Sequence, residues 1–163
     1  MNLEELVKPD TVLCNVSARS KKHCLEILSE LLCRPSPEIA NEEVFARLIE
    51  RERLGCTCLG RGIAFPHCRI EGLKASSAAL MRLAEPVDFD SPDGESVDLI
   101  FGLMVPEQLE QGDYENIEAL TKLLKDDPLC KRLRAARSSN ELRDALLSGL
   151  VATAPPPKSA QQA

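Results

Sequence analysis

From Val97 to Val105 the chain is almost continuously apolar, and Pro106 ends the run. A strand with one face in water alternates apolar and polar residues. A run apolar on both faces belongs to a central strand covered from both sides. Such a strand requires a layer above and a layer below, and the rest of the chain reads as strands and helices that supply them. Thr11 to Val16 alternates, with Val12, Cys14 and Val16 on one side, and predicts a strand. Ser76 to Leu83 predicts another, apolar except for Arg82, and Asp90-Ser91-Pro92-Asp93-Gly94 has the chemistry of a turn. Ser17 or Ser20 opens a helix with Cys24, Ile27, Leu28 and Leu31 at helical spacing, broken by Arg34-Pro35-Ser36-Pro37. Asn41 is the expected N-cap of the next helix. Its buried stripe is Val44, Phe45, Leu48 and Ile49, and Arg51 and Arg53 precede a stop at Gly55.

The flanks are helical too. Asn2 and Glu5 fit a capping box for a short helix over Asn2 to Val7. Tyr114 to Lys125 places Ile117, Leu120 and Leu124 on one side, Asp127-Pro128 opens a further helix, and Ser138 with Glu141 caps a third. Helices before and after a few buried strands predict an α/β fold, a single-domain layered sandwich over residues 1–150. Residues 151–163, rich in Pro and Ala, predict a disordered tail.

Composition narrows the classes. With 163 residues and aromatics at 3%, one aliphatic core is expected. A net charge of −6 argues against a general nucleic-acid binder. The N-terminus lacks the basic and apolar regions of a secretory signal, and no apolar stretch approaches the ~20 residues of a membrane span. A cytoplasmic protein is expected, with no membrane partner. Seven cysteines, at 14, 24, 33, 56, 58, 68 and 130, are an odd and scattered set, which favours reduced thiols serving mostly as core filler.

Chemistry concentrates between Gly55 and Gly72. Glycines 55, 60 and 62 leave room for only a short strand, Gly62 to Phe65, before Pro66-His67. The other histidine, His23, lies on a helix among Lys21, Lys22 and Glu26 and reads as a solvated side chain. His67 emerges from an apolar strand behind a proline of fixed φ, which presents its imidazole in a defined direction. A neutral imidazole whose one nitrogen donates to a carbonyl keeps a lone pair on the other for attack on phosphorus. Arg51, Arg61 or Arg69 could add positive charge for phosphate oxygens. Spacing alone leaves a nucleophile and a structural histidine equally open. Cys56-x-Cys58 with His67-Cys68 offers four zinc ligands, but the pairs are tighter than zinc knuckles and adjacent residues diverge on an extended chain, so no metal is expected. The glycines are not followed by Gly-Lys-Ser/Thr, which disfavours a nucleotide loop. No cofactor is expected.

The stretch from Arg51-Glu52 through Thr57 to Gly62-Ile63-Ala64-Phe65-Pro66-His67 resembles the active-site signature of fructose/mannitol-type (type-2) enzyme IIA domains of the bacterial phosphotransferase system. The likeness extends to Val97–Pro106 and Cys130–Ala136, covers essentially residues 2 to 148, and is strongest to the nitrogen-regulatory branch. It implies a central mixed sheet flanked by helices. It also implies that His67 accepts a phosphoryl group from a histidine phosphocarrier protein, with Arg51 and Thr57 at the site, and that the two states act on regulatory protein targets. Many members carry a second histidine at the start of the helix after Val-Pro. Here Asp113 falls nearest that position, with Tyr114 and Glu115 within one or two residues. An ionised carboxylate cannot donate to phosphate, so transfer would be slower or differently tuned. His67 is expected at the mouth of a shallow depression roofed by the Gly55–Gly60 loop. Two alternatives share the signature: a sugar-specific enzyme IIA serving a transport subunit, and a non-catalytic interaction module. For the latter, Lys131, Arg132, Arg134 and Arg137 form a possible docking patch.

Overall fold

In the computed structural model, which describes residues 2–153, a mixed sheet separates two helical layers. The chain runs α1 (Leu3–Leu6), β1 (Val7–Val16), α2 (Lys21–Cys33), α3 (Asn41–Arg53), β2 (Cys58–Gly60), β3 (Ile63–Ala64) and β4 (His67–Ile70). It continues through β5 (Ser77–Val87), β6 (Val97–Pro106), α4 (Gln111–Leu124), α5 (Asp127–Ala135) and α6 (Ser139–Thr153). The sheet order is β1-β5-β6-β3-β2, and β4 also pairs with β6. β5 runs antiparallel to β6, while β3 and β4 run parallel to it on its other edge. The expected layered α/β fold and its central strand are therefore present. Val97, Ile100 and Met104 of β6 pack against α2 and α3, while Leu99, Phe101, Leu103 and Val105 pack under α1 and α4 to α6. No helix among the described residues is long and apolar enough to cross a membrane.

Several boundaries differ from expectation for identifiable reasons. β1 starts at Val7 rather than Thr11, because Val7 pairs with Ala78 of β5. Asn15 sits at φ 59, a left-handed conformation that asparagine tolerates. The resulting register shift moves Val16 to the opposite face from Val12 and Cys14. Ser20, not Ser17, caps α2 by accepting from the His23 amide at 3.1 Å. The N-cap of α3 is Ala40, and Asn41 is already helical. Asp126 rather than Asp127 caps α5, accepting from the Leu129 amide at 3.0 Å. α6 reaches Thr153, past the expected end of the domain at 150, and residues 154–163 of the expected tail lie outside the described residues.

Two close approaches set the layer spacing. Gly102 in β6 faces Leu28 of α2, and a Cβ at Gly102 would lie 2.5 Å from Leu28 Cδ1. Leu28 is completely buried, so it has nowhere to retreat. On the other layer, Arg134 of α5 makes a two-pronged ion pair with Asp98 of β6 (Nε–Oδ2 2.9 Å, Nη2–Oδ1 2.8 Å) and donates to the Arg61 carbonyl at 2.7 Å. Gly102→Ala is expected to destabilise the fold by about 1–3 kcal/mol through overpacking. The check is a lower urea midpoint with an unchanged denaturant slope.

Candidate functional site

His67, expected just beyond a short strand over Gly62 to Phe65, is the first residue of a further strand, β4, which the sequence reading did not anticipate. Pro66 removes one donor, yet its carbonyl still accepts from Leu103 N at 3.1 Å, so pairing with β6 continues across it. β3 and β4 are thus two pieces of one edge, hinged at Phe65-Pro66. Period-two alternation then sorts β4. Cys68 and Ile70 point into the α2/α3 core, and His67 and Arg69 point to the opposite face.

The imidazole is held in one tautomer. His67 Nδ1 lies 2.9 Å from the Phe65 carbonyl oxygen, which can only accept, so Nδ1 carries the proton and Nε2 keeps a free lone pair. Phe65 is itself anchored, because its amide donates to the Thr57 carbonyl at 3.0 Å. Burial of the half-buried ring lowers the His67 pKa most strongly. The Phe65 carbonyl and Glu52 push it back up, and the Arg51 and Arg69 guanidiniums push it down. The net direction is downward, favouring the neutral, nucleophilic ring.

Beside the His67 ring lies a depression of about 510 Å³, walled by Arg51 of α3 and its C-cap Leu54, Arg69 from β4 and Tyr114 from α4, with Leu103 and Val105 beneath and Glu50 and Glu107 also on its border. This corrects the expected roof: the end of α3 and the start of α4 form the walls, and the Gly55–Gly60 loop does not line the depression. Arg51 is braced by donating to the Gly55 carbonyl at 3.1 Å. Leu54, at the rim, is 85% exposed. Thr57 lies behind the site rather than in it. It is buried, and its hydroxyl donates to Glu52, which in turn pairs with Lys21 at 2.9 Å. Glu52 therefore ties α2, α3 and the Thr57 loop together, a role the sequence reading did not single out.

Asp113 is placed elsewhere. Its carboxylate accepts from the Glu110 amide at 2.9 Å as part of the α4 N-terminal cap, and it borders a different cavity, beside Asn2 and Lys8. The helix starts at Gln111, three residues before the expected Tyr114, so Asp113 becomes a capping residue and Tyr114 faces His67's depression. Arg61 also leaves the site, because it pairs with Asp127 and donates to the Lys125 carbonyl at 3.2 Å. In the basic run, Arg134 is committed to Asp98, while Lys131, Arg132 and Arg137 are exposed. His23 is half-buried rather than fully solvated, and its Nδ1 accepts from the Arg19 amide at 3.1 Å.

The cysteines need one correction. Cys56 and Cys58 are not separate free fillers: they pair sulfur to sulfur, with Cα atoms 5.4 Å apart, a span that two cysteines can bridge. Cys24, Cys33, Cys68 and Cys130 are buried and free, and burial pushes the Cys68 thiol up to about 12. Among the described residues no group of three or more His, Cys, Asp or Glu side chains converges as a metal site.

Over residues 5–149 the chain matches the family described as phosphoenolpyruvate-dependent sugar phosphotransferase system, EIIA 2. The chain belongs to this family. Within it, the chain is 39% identical over 142 residues to the nitrogen regulatory protein of Pseudomonas aeruginosa, covering 87% of this chain and 92% of that one. The crystal structure of nitrogen regulatory protein IIA-Ntr from Neisseria meningitidis superimposes with TM-score 0.82 at 35% identity, over 88% of this chain and 98% of that one. IIA mannitol from Escherichia coli shares the fold at TM-score 0.69 and 22% identity, over 85% of this chain and 97% of that one. The chain is thus a nitrogen-regulatory EIIA-type protein, as its signature implies.

If Asp113 serves the cap, Asp113→Ala costs the start of α4 about 1 kcal/mol. A lowered thermal midpoint, with the His67 imidazole resonances in their wild-type positions, is the expected result.

Proposed function

We propose that the protein is a phosphoryl carrier and regulator, loaded on His67 Nε2 by a histidine phosphocarrier protein and acting on its targets according to phosphorylation state. The observation that carries this reading is the 2.9 Å contact of Nδ1 with the Phe65 carbonyl, which leaves Nε2 unprotonated toward a depression bearing Arg51 and Arg69. In the transfer, the Nε2 lone pair forms a bond to phosphorus as the donor's own nitrogen–phosphorus bond breaks. The donor ring keeps that electron pair. No proton has to leave His67, because Nδ1–H stays on the Phe65 carbonyl, whose oxygen stabilises the positive charge the ring acquires.

The two guanidiniums act in both states. Before transfer they disfavour protonation of the ring, and afterwards they face a phosphoryl dianion, where their attraction is largest. A site that gains about two negative charges at an exposed rim changes its partner surface by repulsion and by new arginine pairing. Exposed Leu54 and half-exposed Tyr114 give that rim the apolar contacts on which a partner can seat. The regulatory rather than sugar-transport reading is supported by relatives named nitrogen regulatory protein at 34–39% identity, of whose length this chain covers 92–95%, whereas the 2-O-alpha-mannosyl-D-glycerate-specific EIIABC component of Escherichia coli, at 32% identity, is covered over only 22% of its length.

Incubation with phosphoenolpyruvate, enzyme I and a histidine phosphocarrier protein is expected to yield one acid-labile adduct by intact mass. The adduct should be absent from His67→Ala, and one that survives that substitution contradicts the proposal. The pH profile has a definite sign. With its pKa lowered, His67 stays neutral as pH falls through the ordinary histidine value of about 6.5. The loading rate therefore holds across that point and drops only at lower pH. Arg51→Gln removes one cause of the lowering, so the drop should move toward neutrality.

A further inference from the structure

Tyr114 is the one residue of α4's first turn that reaches His67's depression. Helical spacing explains how. Tyr114, Ile117 and Leu120 lie on one stripe, and the last two pack toward the sheet face that carries Leu103 and Val105. The stripe's N-terminal end therefore overhangs the strand positions of His67 and Arg69, which pair with Leu103 and Val105. Tyr114 remains 47% exposed, so burial alone does not account for it.

Its hydroxyl is oriented by a neighbour. Arg69 Nη2 donates to Tyr114 Oη at 3.3 Å, and the guanidinium carbon stands 5.9 Å from the ring centroid. Because Arg69 donates, the phenol oxygen is the acceptor and its own O–H is left to donate elsewhere. Arg69 thus presents two things to the depression: a positive charge close enough to His67 to lower its pKa, and a neutral donor held at its tip.

We infer that Tyr114, oriented by Arg69, is a catalytic hydrogen-bond donor to the phosphoryl oxygens at His67. This rests on the proposed role of His67 as phosphoryl acceptor. As the phosphorus moves onto Nε2, Tyr114 O–H donates to one of its non-bridging oxygens and Arg69 supplies charge beside it. Neither gives up a proton, so the atom balance of the transfer is unchanged. A donor of this kind does what a carboxylate at the same helix start cannot, since an ionised carboxylate only accepts and repels. Asp113 stays on its cap, and the next residue supplies the donor.

Two donors separate the chemistry from docking: a histidine phosphocarrier protein, and phosphoramidate, which is too small to need a protein interface. Loading of the full chain is followed by intact mass for wild type, Tyr114→Phe and Tyr114→His. The phenylalanine keeps the ring and loses only the hydroxyl. It should load about tenfold more slowly or worse with both donors. Tyr114→His, whose ring N–H can donate, should recover much of the rate. A Tyr114→Phe rate equal to wild type overturns the inference. So does a loss seen with the protein donor alone, which would make Tyr114 a docking residue. If wild type takes no phosphoryl group, or keeps it in His67→Ala, the His67 reading falls and this inference with it. Normal His67 loading with an indifferent Tyr114→Phe sinks only the tyrosine.

Discussion

β6 is paired along both edges, and the rest of the molecule is referred to it. A strand buried on both faces has no water to satisfy its amides and carbonyls, so each needs a neighbouring strand. β5 supplies one edge, and the other is filled by two short pieces, β3 and β4. The break between them is Phe65-Pro66. Pro66 has no N–H to offer but still accepts from Leu103, so the edge continues while the chain is forced into a fixed geometry just before His67. The same break frees the Phe65 carbonyl to meet His67 Nδ1. The His67 imidazole is positioned by the way an edge of the sheet is completed.

Behind the edge, a short relay makes the arrangement rigid. Lys21 of α2 pairs with Glu52 of α3, Glu52 receives the Thr57 hydroxyl, Thr57 receives the Phe65 amide, and Phe65 receives His67. Glu52 holds Thr57 twice, through its amide and its hydroxyl, and the members of the relay come from both helices of one layer, the loop after α3 and the sheet edge. Glu52's side chain is only 5% exposed, so its charge depends on those partners. In front of the edge, α3 and α4 bring their termini to the same depression from opposite sides. Arg51 comes from a helix end, where cations are favoured, and Tyr114 comes from a helix start.

The fold was readable where burial dictates pattern. The Val97–Val105 run identified the central strand, and the Leu28 and Leu120 stripes identified helices on either side of it. What escaped were features that depend on pairing rather than on period. β4 is four residues long, begins directly after a proline and has His67 and Arg69 on one side, so nothing in its composition marks it as a strand until β6 lies beside it. Asn15's left-handed turn, which reverses Val16, is likewise silent in the sequence. At the site, the Pro-His dipeptide with its upstream Arg-Glu singled out His67 and Arg51, which the structure brings to one depression, while Thr57 lies behind it. Asp113 was misplaced because a capping residue and a pocket residue differ by one position on a helix, about 100° of rotation. The stripe of Ile117, Leu120 and Leu124 is legible in the sequence, and Tyr114, which the match to the family motif also admits at that position, is the residue that shares His67's depression.

The tautomer of His67 tests this account most directly. Nitrogen-15 spectra of the unphosphorylated, full-length protein at neutral pH distinguish a protonated from a bare ring nitrogen for each of its two histidines, and His67→Ala assigns the signals. The structure predicts a neutral His67 ring with the proton on Nδ1 and a bare Nε2. A proton on Nε2 with Nδ1 bare, or an imidazolium at neutral pH, would contradict it.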